Sequence, residues 1–309
     1  MANIITDRLV SHFGERLEQQ VSLGRYTSAR VGGKADGLVE VKSAQELAEC
    51  MRFLWSLQIP CKVLGGGSNL LISDDGFHGI AVINKSSEFR VEKSESEVIV
   101  FAESGVNFGK LARQVSLEGL ADLEWAAGIP GTVGGAVYGN AGAHGMDMAT
   151  SMEEVEILFP DGRLIDWSAD EMEYSYRSSR LKTEISQAVV LSAGLFVHSD
   201  EPQEIKARLN EYLEKRKTSQ PTGASLGSIF KNPEGDFAGR LIEAAGLKGT
   251  RIGGAEISQK HANFFLNDEF AHAQDIYDLI RLAQKKVLDQ FGIELETEIE
   301  LLGRFKDGK

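Results

Sequence analysis

Hydrophobic positions along the chain come in short blocks whose spacing alternates between helical and extended. Leu9, Phe13 and Leu17 share one helical face, which predicts an amphipathic helix over residues 5–20. An apolar strand follows around Gly37 to Val41. Ser43-Ala44-Gln45-Glu46 has the form of a capping box and opens a helix with Leu47, Met51, Leu54 and Trp55 inward. Cys61 to Leu64 reads as a short strand, with a second β-like segment at Asp74-Asp75-Gly76-Phe77. Residues 79–104 alternate as strands, Asn107 caps a helix carrying Phe108, Leu111 and Val115, and residues 153–158 and 163–167 form a hairpin across Pro160-Asp161-Gly162. A strand from Ala188 to Phe196 precedes a boundary near His198 to Pro202. Beyond it, Ile205, Leu209 and Leu213 mark a polar helix ending at Lys217, and another helix runs from about Asp236 to Ala245. Asp275 caps a last helix to Gln290, and the chain closes on the extended pattern Gly292 to Ile299. This order predicts an α+β protein with helices packed on mixed sheets.

Two stretches in this pattern carry almost no side-chain bulk. Gly128 to Gly145 (GIPGTVGGAVYGNAGAHG) holds seven glycines, and Gly65-Gly66-Gly67-Ser68-Asn69-Leu70 follows the strand that ends at Leu64. Such runs offer backbone: successive exposed N–H groups form concavities that bind anions, phosphates above all. Gly128-Ile129-Pro130-Gly131 reads as a turn, and Asn140-Ala141-Gly142 adds a side-chain amide. A flexible linker would carry Ser and charge where this run has Ile129, Val133, Ala136, Val137 and Tyr138, so a ligand cradle is the better reading. There is no GK[ST], which excludes a P-loop, and a β-like segment rather than a long helix follows Gly65–Leu70, unlike the common dinucleotide fold. The ligand is a polyphosphate of unspecified kind.

Length and charge narrow the setting. A chain of 309 residues suits two or three domains. The formal charge, 33 − 46 = −13, argues against nucleic-acid binding, so any phosphate must be held locally against an unfavourable global field. Cys50 and Cys61 are the only cysteines, with no CxxC spacing, so neither a disulfide framework nor a metal site is expected and a reducing compartment is. The N-terminus MANIITDRLVSHFGERLEQQ is charged throughout, unlike a signal peptide, and no apolar run approaches the ~20 residues of a membrane span. The expectation is a cytoplasmic protein.

Three patches put reactive groups on otherwise structural ground. Tyr176-Arg177 offers a planar fork of donors that stays charged, although a surface ion pair is the commoner fate of an arginine. Ser228, after Gly227 and before Ile229, Phe230, Lys231 and Asn232, can be a cap or a proton donor; no GxSxG elbow surrounds it, so a hydrolase reading is weak. Glu294, Glu296 and Glu298 share one face if extended, and most members of such a set are solvated.

Taken together, GGGSNLL, AGIPGTVGGAVYGNAG, YSYRSSRLK, GSIFKNP, LKGTRIGGAEISQKHANFFLN and LETEIELLG resemble the UDP-N-acetylenolpyruvoylglucosamine reductase family, in family order from about Tyr26 to Gly303. The resemblance implies an α+β fold with a two-part FAD-binding domain of the vanillyl-alcohol-oxidase (PCMH) type (1–86 and 87–200) and a C-terminal α+β substrate domain (201–309). It implies noncovalent FAD, with NADPH as hydride donor, and reduction of an enolpyruvyl UDP-sugar to UDP-N-acetylmuramate for peptidoglycan. FAD contacts fall on Leu64, Gly65, Gly66, Gly67, Ser68, Asn69 and Leu70, on Gly128, Ile129, Pro130, Gly131, Thr132, Gly134 and Gly135, and on Asn140, Ala141 and Gly142. The catalytic trio falls on Arg177, Ser228 and Glu298, the second glutamate of LETEI. Tyr176, Lys231, Asn232, Lys248 and His261 become substrate neighbours. The short stretch from Arg180 to Asp200 has no room for the tyrosine-bearing insertion of the longer subtype, so the chain is similar to the shorter one. A monomer acting on small molecules is expected. The rival readings are an FAD oxidase of the same superfold and a non-enzymatic nucleotide-binding module.

Overall fold

The computed structural model describes residues 2–185, 187–268 and 270–307, and of residues 2–6 the backbone alone. Helices and strands form two compact units, each drawn from separate stretches of chain: one from the residues up to Leu17, Val39–Gly66 and Ala81–Arg216, the other from Glu18–Leu38, Gly67–Ile80 and the residues from Lys217 onward.

The first unit is built on an antiparallel sheet in the order Leu164–Ser168, Met152–Leu158, Val189–Ser199, Val98–Glu103, Phe89–Lys93. The central strand Val189–Ser199 is buried over most of its length, so it reads as the continuous apolar run seen in the sequence. The helix Phe108–Leu117 starts where expected, with Asn107 Oδ1 accepting from Lys110 N at 2.9 Å, and lays Phe108, Leu111 and Val115 into the core. The helix Pro202–Ser219 contributes Leu209 to this same core. Ser43 caps Ala44–Ser56 as read from the sequence, although Glu46 reaches back to Lys42 N rather than to the cap's own N–H, and Trp55 stays half-buried.

The second unit pairs Ala224–Ser228, Phe264–Asn267, Ala255–Ile257 and Arg251–Ile252 in one antiparallel sheet. Against it lie Ala238–Ala244 and Ala273–Phe291, with Leu241, Ile242, Ile276, Leu279 and Ile280 buried. Both oxygens of Asp74 accept from the first turn of Ala273–Phe291, at Ala273 N (3.0 Å) and Gln274 N (2.9 Å). Asp275, expected as the cap, is the third helical residue and accepts from His272 N at 2.9 Å.

Three other expectations need correction. The first helix spans Ala2–Phe13 and stops there because Gly14 takes φ +56°, so Leu17 lies outside it. Part of the glycine run is helical, Val133–Gly139, with Val133, Ala136 and Val137 buried; tertiary packing overrides poor helix propensity. The closing segment is not one strand: only Glu300–Leu302 is regular, paired in parallel with Leu70–Ile72. Leu295 and Ile299 are buried there while Glu294 and Glu296 face solvent.

Candidate active site

In the first unit the two glycine clusters meet. A Cβ at Gly66 would come within 2.7 Å of Gly131 Cα, and one at Gly65 would overlap the Thr132 side chain. Gly131 holds φ +104°, a conformation that a branched residue resists. Thr132 then caps Val133–Gly139. The nearby backbone is spoken for at Val133 N (to Val106 O, 2.9 Å) and Gly134 N (to Ser104 O, 2.8 Å). Phe108 N donates to Gly131 O at 3.1 Å, and at Gly65 and Gly66 the chain passes so near Gly131 and Thr132 that no side chain fits there.

Asn140, Ala141 and Gly142 differ from the sequence reading. Asn140 is 3% exposed and sits at φ +44° as the left-handed cap of Val133–Gly139. Its Nδ2 donates to Ser175 O (3.0 Å) and Asp147 Oδ2 (3.4 Å), and its Oδ1 accepts from Ala149 N (3.1 Å). The amide expected to face a ligand is thus hydrogen-bonded inside the protein. Ala141 N goes to Ala136 O at 2.9 Å, and Gly142 pairs with Asp147 in a short ladder.

Tyr176 and Arg177 form the tip of a tight turn closed by Ser175 N to Ser178 O (3.1 Å) and Ser178 N to Ser175 O (3.0 Å). Arg177 takes φ +55°, where a turn ordinarily has glycine; such a residue stores of order 1–3 kcal/mol of strain, and strain of this kind clusters at functional sites. Its Nη2 donates to Gly142 O at 2.7 Å and its Nη1 to Asn140 O at 3.4 Å, while the guanidinium lies 5.2 Å from the centroid of the exposed Tyr176 ring.

In the second unit the structure brings Ser228 and the Glu298 segment onto neighbouring backbones. Ser228 faces Phe264 in the ladder and follows Gly227 at φ +75°. One residue on, Ile229 O accepts from Glu298 N at 2.8 Å, and Lys231 N donates to Glu296 O at 2.9 Å. Asn69 Nδ2 donates to Glu298 O at 3.2 Å, and Asn69 O accepts from Glu300 N at 2.9 Å, so the end of the Gly65–Leu70 cluster is tied to this segment. Lys231 Nζ pairs with Glu296 at 2.6 Å.

Asn263, which the sequence did not single out, is 3% exposed and doubly bonded to Phe230, accepting from its N–H at 2.9 Å and donating to its C=O at 2.8 Å. Only the partner strand reveals this role. Asn232 Oδ1 accepts from Ala238 N at 3.1 Å and caps Ala238–Ala244, and Lys248 pairs with Glu243 at 2.8 Å. His261 Nδ1 accepts from Asn263 N at 3.2 Å, which places the proton of the neutral ring on Nε2; burial, then nearby Lys248, pulls its pKa below the usual imidazole value.

Comparison with known proteins decides the family. The FAD binding domain family matches residues 35–168, and the C-terminal domain of UDP-N-acetylenolpyruvoylglucosamine reductase matches residues 219–302. The reductase of Chloroflexus aurantiacus is 39% identical over 91% of this chain and 95% of its own, and that of Rubrobacter xylanophilus is 42% identical over 91% and 93%. The chain belongs to the UDP-N-acetylenolpyruvoylglucosamine reductase family. The crystal structure of the reductase from Thermus caldophilus superposes with a TM-score of 0.80 at 34% identity, covering 93% of this chain and 99% of that one. The α+β reading, with a vanillyl-alcohol-oxidase-type FAD domain followed by the reductase's own C-terminal domain, therefore holds. Among the described residues, no helix of this reductase is long and apolar enough to cross a membrane, and no cluster of three metal-binding side chains occurs.

Proposed function

We propose that this reductase family member works through Arg177, Ser228 and Glu298 around FAD held by Leu64–Leu70 and Gly128–Gly135. It is an FAD-dependent oxidoreductase that reduces the enolpyruvyl group of UDP-N-acetylglucosamine enolpyruvate to UDP-N-acetylmuramate, with NADPH as hydride donor, for peptidoglycan synthesis. The observation that carries the reading is the apposition of Gly65 and Gly66 to Gly131 and Thr132: two glycine clusters far apart in sequence meet where no side chain fits between them, within a chain whose relatives are named for this reaction. The domain assignment 1–86, 87–200 and 201–309 belongs to the same proposal, as do a cytoplasmic location, a monomeric state and the absence of a nucleic-acid partner, which the net charge of −13 supports.

Bound noncovalently, FAD supplies hydride transfer to the enolpyruvyl double bond. Arg177 places a permanent cation where negative charge grows beside the substrate carboxylate, so it stabilises the transition state more than the ground state. The Ser228 hydroxyl gives its proton to the adjacent carbon, and Glu298 orients that group or acts as the acid in its place. Tyr176, Lys231, Asn232, Lys248 and His261 hold the UDP-sugar.

The absorption spectrum of the purified protein should show flavin peaks, and heat should release the colour into solution; colour that stays with the pellet excludes the noncovalent assignment. Gly131→Val sets a branched side chain at φ +104°, which it resists, so it should purify folded but without flavin. Wild-type flavin content in that variant removes the phosphate-turn assignment. NADPH consumption that depends on the enolpyruvyl substrate separates the reductase from an oxidase or a passive nucleotide binder.

A further inference from the structure

We infer that Asn140 is a positioning residue for Arg177. The inference rests on the catalytic reading of Arg177 given above. Arg177 has two ends to be fixed, its strained main chain and its guanidinium, and Asn140 holds both. At the main-chain end, Asn140 Nδ2 donates to Ser175 O at 3.0 Å, the same carbonyl that accepts Ser178 N to close the turn bearing Arg177. At the side-chain end, Asn140 O accepts from Nη1 at 3.4 Å, beside Gly142 O accepting from Nη2 at 2.7 Å. Gly142 has no room for a side chain: a Cβ would sit 3.2 Å from Nη1 and 2.8 Å from Asp147 Cβ.

A left-handed asparagine after a short helix has an ordinary explanation, which is C-capping. Capping requires the φ of +44° and nothing more. It does not require burial to 3%, nor an amide reaching 35 residues along the chain to Ser175. Asn140 Oδ1, held by Ala149 N at 3.1 Å, fixes which way the amide faces and so aims Nδ2 at the turn. Loss of this grip lets the turn relax toward an unstrained φ and carries the guanidinium with it. A displacement of about 1 Å at a catalytic group costs on the order of 10²-fold in rate.

The test uses the FAD-loaded protein and two variants. Asn140→Gly keeps the left-handed conformation and deletes the amide; Asn140→Asp keeps the shape and turns the donor toward Ser175 O into an acceptor. Both should retain flavin and its reduction by NADPH, while reoxidation by the enolpyruvyl substrate slows by about 10²-fold. In an Arg177→Ala background neither should slow it further, because the two residues act as one unit. Independently of activity, trypsin should cut after Arg177 faster in the variants than in the wild type. Wild-type reoxidation, equal slowing of both half-reactions, additive losses in the double variant, or loss of fold in both variants overturns the inference. Arg177→Ala that reoxidises at the wild-type rate overturns instead the catalytic reading of Arg177 on which it rests.

Discussion

Arg177 and Ser228 are held by opposite means. Arg177 stands at the tip of a turn, at φ +55°, with its side chain pinned to the carbonyls of Gly142 and Asn140. Ser228 lies in a ladder opposite Phe264, and the residues after it are fastened by Asn263 on one side and by Glu296 and Glu298 on the other. In the role proposed for Arg177, a cation meeting one carboxylate gains from a rigid, strained mount, because its direction matters more than the stability of the turn. In the role proposed for Ser228, a hydroxyl giving up one proton can be placed by backbone pairing, here with a register shift between Ser225 and Ser228.

The comparison breaks most visibly at Ser228. Ser228→Ala should leave reduction of the flavin by NADPH unchanged and slow reoxidation by the enolpyruvyl substrate by roughly 10²–10⁴-fold, read by stopped-flow absorbance. Near wild-type reoxidation would transfer the proton to Glu298. Arg177→Ala comes next: removing one preorganised electrostatic contact costs on the order of 10²–10³-fold in the same half-reaction, and Arg177→Lys should recover little because the two carbonyls fit a planar fork.

The two mounts should also differ in what their supports do to stability. Asn263→Ala strands the buried N–H and C=O of Phe230 and should lower unfolding stability by about 1–3 kcal/mol, seen as a lower thermal midpoint, with both half-reactions touched alike. A selective loss of reoxidation there would mean that Ser228 too depends on a dedicated positioning group. The smallest effect is expected at His261. Its pKa is depressed in the fold, so the unfolded chain takes up protons first. The stability that comes from keeping the ring neutral is present above the unfolded value of about 6.5 and is lost as pH falls through the lower folded value. His261→Gln should flatten the thermal midpoint between pH 7.5 and 5; an unchanged slope assigns the dependence to other groups.

Much of this was legible because it is local. The Asn107 cap, the Ser43 cap, the hairpin across Pro160-Asp161-Gly162 and the apolar run of Val189–Ser199 depend on residues a few positions apart, and each formed where the pattern put it. The first helix stops a turn short of the apolar pattern because Gly14 is a left-handed stop, while Leu17 continues the helical spacing beyond it. Phe89–Lys93 was hidden among the alternating residues 79–104, since its outward positions are charged and its pairing is supplied by Val98–Glu103.

The sequence by itself determined the family, the α+β class and the residue types of the site, because glycine runs and the motif set around Arg177, Ser228 and Glu298 are chemical facts visible without coordinates. The tertiary structure alone decided how those groups are used. Only the fold sets Gly66 against Gly131 and brings two glycine runs together. Only the fold buries Asn140 and turns its amide toward Ser175, and only the fold leaves Glu294 and Glu296 in water while the main chain of Glu298 is clasped between Ile229 and Asn69. A hydrogen bond's partner is set by where the chain returns in space, and side chains identical in sequence acquire different roles from that return.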